Sequence, residues 1–174
     1  YVFPNKTHVN IKAEVQYGHL QRIYGLGIDS VYSPHVFSLW FDHGNKPTNA
    51  SYAYIVAPGK LADEMRDYTE NLPVKVLLNN SKIQAVIQSQ LNILGVVFHE
   101  AGGFDMEETS LEVTEPCLVL LNTDSGEIHI ADPTAKLDRL SISVAIKDQA
   151  KRKETVILPV NGLAGKSVKL IFSN

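Results

Sequence analysis

The sequence predicts an all-β protein built as an antiparallel β-sandwich. In three segments, apolar and polar residues alternate with a period of two, as in strands that bury one face: residues 9–15, 140–146 and 168–172. Four other short runs are apolar on both faces, which is typical of strands enclosed between layers: residues 36–41, 52–57, 91–98 and 117–121. Turn-forming residues separate these runs, so short strands joined by turns are expected along most of the chain.

The amino-terminal strands include the segment FDHGNKPTNASYAYIVAPGK, residues 41–60. The run at 36–41 leads into Asp42-His43-Gly44, and apolar sequence returns at 52–57 after Pro47. We expect the two runs to pair across the intervening loop. Trp40 and Tyr52, together with Tyr54, would then either lie in the core or form an exposed surface on which a sugar ring stacks.

One segment departs from the period of two. Leu61, Met65 and Tyr68 recur at i, i+4 and i+7, which places three apolar side chains on one face of a short helix near residues 60–68. Strand-like sequence restarts at Val74. The boundary between two β units is therefore expected in this region, with one domain over residues 1–70 and a second over residues 74–174.

Composition excludes several functional classes. The 174 residues are 44% hydrophobic and 20% charged, with a net charge of −3, which suits a globular protein with a core. The basic triplet Lys151-Arg152-Lys153 is isolated and is interpreted as a solvated turn, so no nucleic-acid partner is expected. No apolar run approaches the roughly 18 residues of a membrane span, so no membrane partner is expected.

Cysteine and metal-binding patterns are sparse. The single cysteine, Cys117, excludes an internal disulfide and is interpreted as a small buried hydrophobe rather than a reactive thiol. The six histidines form no HExxH pattern. Asp105, Glu107 and Glu108 lack the spacing of an EF-hand loop, which leaves a solvated acidic loop or loosely held calcium. No other cofactor and no metal ligand is predicted.

Asp42-His43-Gly44 allows two interpretations. An aspartate can orient a histidine ring and raise its basicity, but catalysis would require a third partner that the sequence does not nominate. Alternatively, the triplet is a tight corner in which Gly44 takes positive φ while Asp42 and Asn45 bond to local backbone. The corner is the preferred interpretation, and no catalytic residue is predicted in the chain.

The segment YSPHVFSLWFDHGNKPTNASYAYIVAPGK resembles the end of the central β domain of family 8 polysaccharide lyases, the chondroitin AC, hyaluronate and xanthan lyases. The later segments VLLNNSKIQAV, PCLVLL, IHIADPT and LPVNGLAGKSV are similar to the small C-terminal β domain of the same enzymes. On this resemblance, Asp42, His43, Gly44 and Asn49 match a conspicuous structural corner of the β domain.

The resemblance implies a fold of three parts: an N-terminal α/α toroid, a central supersandwich and a C-terminal β-sandwich. It implies β-elimination at a uronic-acid glycoside, with a tyrosine base, an asparagine, a histidine and an arginine all supplied by the toroid. The chain is therefore expected to be the end of the supersandwich followed by the C-terminal sandwich, inactive by itself.

The resemblance also implies a setting for the chain. The expected partners are the toroid of the same parent polypeptide and an acidic polysaccharide, and the expected location is secreted or periplasmic in a bacterium. A start at Tyr1 without Met suggests a piece of something longer. The alternative is a free-standing carbohydrate-binding β-sandwich, in which Trp40 and Tyr52 would contact the sugar. The sequence names neither the polysaccharide nor the oligomeric state.

Overall fold

The computed structural model describes residues 1–172 and consists mostly of antiparallel β-strands, which confirms the predicted fold class. By its internal contacts the chain divides into two compact units. The first comprises Tyr1 and Phe3–Ile55, and the second comprises Val2 and the chain from Val56 onward. The predicted domains, 1–70 and 74–174, stay a prediction.

A membrane-spanning helix, long and apolar enough to cross a bilayer, is not found among residues 1–172.

The first unit contains four strands and one short helix: β1 (Asn10–Val15), β2 (Gly18–His19), α1 (Leu20–Tyr24), β3 (Val31–Tyr32) and β4 (His35–Trp40). Strand β1 pairs antiparallel with β4, and β2 pairs with β3. Helix α1 escapes prediction because five residues are too few to show a helical period. It ends at Gly25, whose φ of 69° is favourable for glycine and whose N–H bonds to the Gln21 carbonyl at 2.8 Å.

Two predictions for this unit are wrong. Residues 52–57 form no strand beyond a single bridge position at Ile55, and the run at 36–41 pairs with β1 instead. The chain between them is an irregular loop in which left-handed backbone recurs, at Gly44, Lys46 and Asn49. The expectation that residues 9–15 bury one face is also wrong, since Ile11 is 63% exposed on the two-stranded β1–β4 sheet.

The second unit is a sandwich of two sheets preceded by a helix. Its elements are α2 (Glu64–Glu70), β5 (Val74–Asn79), β6 (Ile83–Gln88), β7 (Ile93–Phe98), β8 (Gly102–Met106), β9 (Thr109–Val113), β10 (Cys117–Asn122), β11 (Glu127–Ala131), β12 (Arg139–Ile146), β13 (Arg152–Ile157) and β14 (Val168–Ile171). A 3₁₀ turn at Asn161–Leu163 precedes β14. One sheet has the order β14-β11-β10-β7-β6-β5, and the other has the order β13-β12-β9-β8.

The core of the sandwich comes from alternate residues of both sheets. Leu94, Val96 and Phe98 on β7 belong to the same buried cluster as Ile142 and Val144 on β12. Each strand faces its partner sheet with every second side chain, so the period of two follows directly from the pleat. The predicted strands at 140–146 and 168–172 are confirmed as β12 and β14.

Three other expectations need correction. The helix near 60–68 exists but begins at Glu64, because the Asp63 side chain and the Leu61 carbonyl both accept from the Glu64 N–H. The run at 117–121 is not buried on both faces, since Leu120 is 48% exposed. The triplet 151–153 is not a turn throughout: β13 begins at Arg152.

Strand β5 lies at one edge of the six-stranded sheet and is irregular. Its pairing with β6 shifts register between Val76 and Leu78. Such a shift leaves one residue without a partner in the ladder, bends the strand and increases its local twist.

Candidate functional site

The loop after β4 is shaped by the Asp42-His43-Gly44 triplet. The Gly44 backbone N–H donates a hydrogen bond to the Asp42 carboxylate at 2.8 Å, and Gly44 has a φ of 73°. A carboxylate that caps the backbone two residues ahead forms an Asx-turn, and glycine adopts positive φ without steric cost. Asn49 also has positive φ, of 57°. The structural role assigned to Asp42, His43, Gly44 and Asn49 stays a prediction.

Three extended segments of the first unit each contribute two aromatic rings, spaced i and i+2, to one cluster. We call it the aromatic array, and its members are Tyr1, Phe3, Phe41, His43, Tyr52 and Tyr54. Residues two apart in an extended chain project from the same face, which explains how each segment supplies a pair.

Phe41 lies at the centre of this array. Its ring centroid is 5.0 Å from that of Tyr52 at an interplanar angle of 23°, and 5.8 Å from that of Phe3 in an edge-on arrangement. Tyr52 and Tyr54 are nearly parallel at 11°, with centroids 6.3 Å apart. These are the offset and edge-to-face geometries that aromatic pairs prefer, so the packing of the rings themselves holds the array together.

An open groove of about 610 Å³ runs beside the aromatic array. It is lined by five members of the array and four residues of β4: Tyr1, Phe41, His43, Tyr52 and Tyr54, with Phe37, Ser38, Leu39 and Trp40. Trp40 is 44% exposed and Tyr52 is 57% exposed. Within this chain the two residues therefore lie at the surface, and the interpretation that they belong to the core is not met.

His43 lines the groove as a stacked ring. Its centroid is 6.3 Å from Phe41 at 9° and 6.0 Å from Tyr52 at 29°. No hydrogen bond joins either ring nitrogen of His43 to another side chain within residues 1–172, and the Asp42 carboxylate is directed to the Gly44 N–H instead. Asp42 and His43 are adjacent in the chain, but they do not form the oriented acid–histidine pair that a catalytic site requires.

Outside the groove, the most perturbed acid is Asp132, which is 2% exposed. Burial would raise the pKa of this carboxyl, but hydrogen bonds donated by the backbone N–H groups of Leu137, Lys136 and Thr134 and by the Thr134 hydroxyl lower it to about 2. The carboxylate ties together the β11–β12 connection. Its environment is that of a structural anchor rather than a proton donor.

Cys117 and the acidic loop complete the candidates. Cys117 is buried in β10, as expected, and burial together with the charge of Asp132 raises the pKa of its thiol to about 12. Asp105 lies in β8, whereas Glu107 and Glu108 form the turn to β9. In the part of the chain that the structure describes, no group of three or more histidine, cysteine or acidic side chains could hold a metal ion.

Family models match both halves of this chain. The model described as the polysaccharide lyase family 8 super-sandwich domain matches residues 1–69, and the family 8 C-terminal beta-sandwich domain matches residues 75–141. The chain belongs to polysaccharide lyase family 8. The resemblance drawn from the Asp42-His43-Gly44 segment and the later motifs is therefore confirmed.

Relatives among characterised proteins carry lyase names. Chondroitinase-AC of Pedobacter heparinus is 32% identical over 174 residues, which are 98% of this chain and 25% of that protein. A hyaluronate lyase of Enterococcus faecalis is 37% identical over 105 residues, 59% of this chain and 10% of that protein. The family 8 chain thus spans a quarter or less of the length of these relatives.

Solved structures show the same fold. A chondroitinase AC lyase determined as enzyme–oligosaccharide complexes aligns with a TM-score of 0.80 at 31% identity, over 97% of this chain and 25% of that chain. A xanthan lyase of Paenibacillus aligns with a TM-score of 0.75 at 26% identity, over 96% and 18% respectively.

Sequence reasoning identified only part of the groove of this family 8 chain. The sequence nominates Trp40, Tyr52 and Tyr54 as candidates, but it does not nominate Tyr1 or Phe41, which also line the groove. A signal was present: aromatic residues two apart recur in three segments outside the regular strands. The apolar run at 52–57 also fits a buried strand, so this spacing alone does not distinguish an exposed aromatic surface from a core strand.

Proposed function

We propose that this chain is the C-terminal β portion of a secreted bacterial polysaccharide lyase and takes no direct part in the chemistry. The parent enzyme would depolymerise a uronic-acid polysaccharide of the chondroitin or hyaluronan type by β-elimination. The observation that carries this proposal is the alignment of nearly the whole chain with a quarter of a chondroitinase AC, through family models that describe β domains.

The geometry around His43 supports a non-catalytic role. Its ring stacks with those of Phe41 and Tyr52, and the neighbouring Asp42 carboxylate caps Gly44. A general base needs an orienting partner and a proton to remove within hydrogen-bond reach. The groove offers a histidine without an orienting acid, which suits recognition better than proton abstraction.

A supporting role toward the α/α toroid would use the apolar surface of the first unit. Exposed large side chains concentrate between β1 and β4, at Tyr17, Ile23, Tyr24, Leu26 and Ile28. Clustered apolar side chains at a surface are typical of protein contacts. We therefore expect residues 17–32 to contact the remainder of the lyase.

A contribution to carbohydrate binding is the second element of the proposal. Trp40 and Tyr52 expose their rings along an open groove of about 610 Å³. Aromatic side chains combine a large apolar face with a polar edge, which suits the alternating apolar and hydroxylated faces of a sugar. Because polysaccharides do not cross membranes unaided, the enzyme would act outside the cytoplasm, in the periplasm or the medium.

The first experiment measures turnover. Purified chain 1–174 is incubated with chondroitin and with hyaluronan, and the ultraviolet absorbance of the unsaturated uronate product is followed. We expect no product, whereas a complete family 8 chondroitinase AC run in parallel gives a steady increase. Product formation by the chain alone would place chemistry within these residues and defeat the non-catalytic assignment.

A companion variant addresses unaided catalysis by Asp42-His43. In His43→Ala, loss of thermal stability fits a structural ring in the aromatic array. If the parent chain does form product, loss of that turnover with intact folding fits catalysis. The expected result is a lower melting temperature, because removing the ring deprives Phe41 and Tyr52 of a packing partner.

The alternative function is a free-standing carbohydrate-binding module, which the exposure of Trp40 favours. The chain has one tryptophan, so its fluorescence reports the groove directly. Addition of an oligosaccharide should shift the emission if the groove binds sugar. The gene sequence upstream of the Tyr1 codon separates the two functions: a long helical region with a signal peptide fits the lyase, and its absence fits the module.

A further inference from the structure

We infer that His43 selects anionic sugars in the groove, because its protonated ring contacts the carboxylate of a bound uronate. This inference rests on the proposed carbohydrate contact and deepens it. In that contact, the aromatic rings of Trp40 and Tyr52 stack on sugars whether or not the sugars are charged. A uronic-acid polymer, by contrast, carries a carboxylate in each repeat. A site that distinguishes such a polymer from a neutral glycan needs a group of positive charge.

Among the side chains that line the groove, His43 is the one able to carry a positive charge. The others are aromatic, aliphatic or hydroxyl-bearing, Trp40 and Tyr52 among them. A carboxylate entering this groove therefore meets one complementary side chain. Ion pairing with a partly exposed group is modest in strength but adds directional preference.

The surroundings of His43 keep its nitrogens available. The ring packs on Phe41 at 9° and on Tyr52 at 29°, which fixes its plane. Within the described residues, neither ring nitrogen has a hydrogen-bond partner, and the adjacent Asp42 carboxylate accepts from the Gly44 N–H. An aromatic face also favours a cation placed beside it at about 6 Å. The ring is thus held in place by its faces, with its polar edge free for a ligand.

Charge on a histidine changes between about pH 5 and 8. Two other kinds of titratable group lie near His43: the Asp42 carboxylate, which precedes it in the chain, and the phenols of Tyr1, Tyr52 and Tyr54, which line the same groove. The purified chain also has an α-amino group at Tyr1, which lines the groove, so acetylation of that amine belongs in the experiment as a control.

The test measures binding of the acetylated chain to hyaluronan oligosaccharides by tryptophan fluorescence and calorimetry at about pH 5.5 and about pH 8. The matched ligand is the same oligosaccharide with its carboxyl groups reduced to alcohols. We expect the affinity for the carboxylate form to be at least about threefold higher at the lower pH than at the higher pH. The affinity for the reduced form should not depend on pH.

Three variants make the result specific. His43→Gln should lose the pH dependence while retaining the weaker binding, and His43→Arg should bind tightly at both pH values because its charge is permanent. His35→Gln, an exposed histidine of β4 outside the groove lining, should leave the pH dependence unchanged.

The outcomes separate the two proposals. The role of His43 is overturned if binding is measurable but its affinity does not depend on pH in the parent chain. It is also overturned if the pH dependence persists in His43→Gln. Either result leaves the carbohydrate contact intact. Absence of binding to either ligand at both pH values overturns the role of His43 and the carbohydrate contact together. The non-catalytic assignment is decided independently by the turnover assay.

Discussion

The side-chain amide of Asn92 donates a hydrogen bond to the Asp124 carboxylate at 2.6 Å, across 32 residues of sequence. Asn92 lies in the turn between β6 and β7, and Asp124 lies in the turn between β10 and β11. Lys147, from the turn between β12 and β13 of the other sheet, donates to the same carboxylate at 3.3 Å. Three turns at one end of the sandwich are thus joined through one acid, and the two sheets with them.

Asn92 has a φ of 53°, which is costly for most residues but tolerated by asparagine and glycine. We expect Asn92→Ala to lower the free energy of unfolding by about 2 kcal/mol, since both the hydrogen bond and the favourable backbone are lost. Asn92→Gly should cost about 1 kcal/mol, because only the hydrogen bond is lost. Urea denaturation followed by far-ultraviolet circular dichroism gives both values. Equal costs would contradict the backbone part of this account.

Asp132 should be the most sensitive acid of the second unit. Replacing it with asparagine turns one accepting oxygen into an NH₂ group that faces backbone donors at 2.8 Å. We expect a loss of about 2–4 kcal/mol in the free energy of unfolding, as for other broken buried networks. Asp148→Asn makes the same charge change at an exposed position and should cost less than about 0.5 kcal/mol. A comparable loss in both variants would show that net charge is responsible.

The pH dependence of stability should carry the signature of Asp132. Its pKa falls from the ordinary 3.8 to about 2 in the folded chain, so its contribution is complete above about pH 4 and is lost as the pH falls toward 2. The contribution amounts to roughly 2 kcal/mol. The stability difference between the parent chain and Asp132→Asn should therefore narrow between pH 4 and 2 in acid titrations. A difference that stays constant over this range contradicts the assigned shift.

Cys117 should be inert in the folded chain. Burial, with the charge of Asp132, raises the pKa of its thiol from 9.0 to about 12, which lowers the thiolate fraction about a thousandfold at a given alkaline pH. Iodoacetamide should leave the native chain unmodified at about pH 8 and modify it completely in urea. Mass spectrometry measures the extent. Rapid native modification would place the thiol at the surface.

Gly44 and Gly18 form a matched pair in the first unit. A methyl group at either position meets nothing within 4 Å, but only Gly44 has positive φ, at 73°. Gly44→Ala should therefore destabilise the unit by about 1 kcal/mol through backbone strain alone, whereas Gly18→Ala should be nearly neutral. Trp40 fluorescence during urea denaturation reports this unit. Equal effects of the two substitutions would remove the strain argument.

The sandwich was predictable where burial alone determines the pattern. In β12, every second residue from Leu140 to Ile146 is buried, and the sequence alternates accordingly. The first unit was less predictable, because exposed aromatic residues near Tyr52 have the same composition as a buried strand. Pairing of β1 with β4 joins residues as far apart in the sequence as Asn10 and Trp40. Local sequence patterns do not indicate which distant strands will pair.

The candidate groove illustrates the same limit. A period of two identifies which side chains share a face, but the solvent exposure of Trp40 and the stacking of His43 on Phe41 depend on segments that meet only in the folded chain. The Asx-turn at Asp42 was predictable because it involves residues two apart.

The register shift in β5 has a consequence for handling the chain in solution. An outermost strand with an uninterrupted row of free N–H and C=O groups recruits further strands from other molecules, which is the first step toward fibrils. The break between Val76 and Leu78 interrupts that row at its middle. Addition of further strands beyond β5 is therefore disfavoured. Concentrated samples should remain free of thioflavin-positive aggregates.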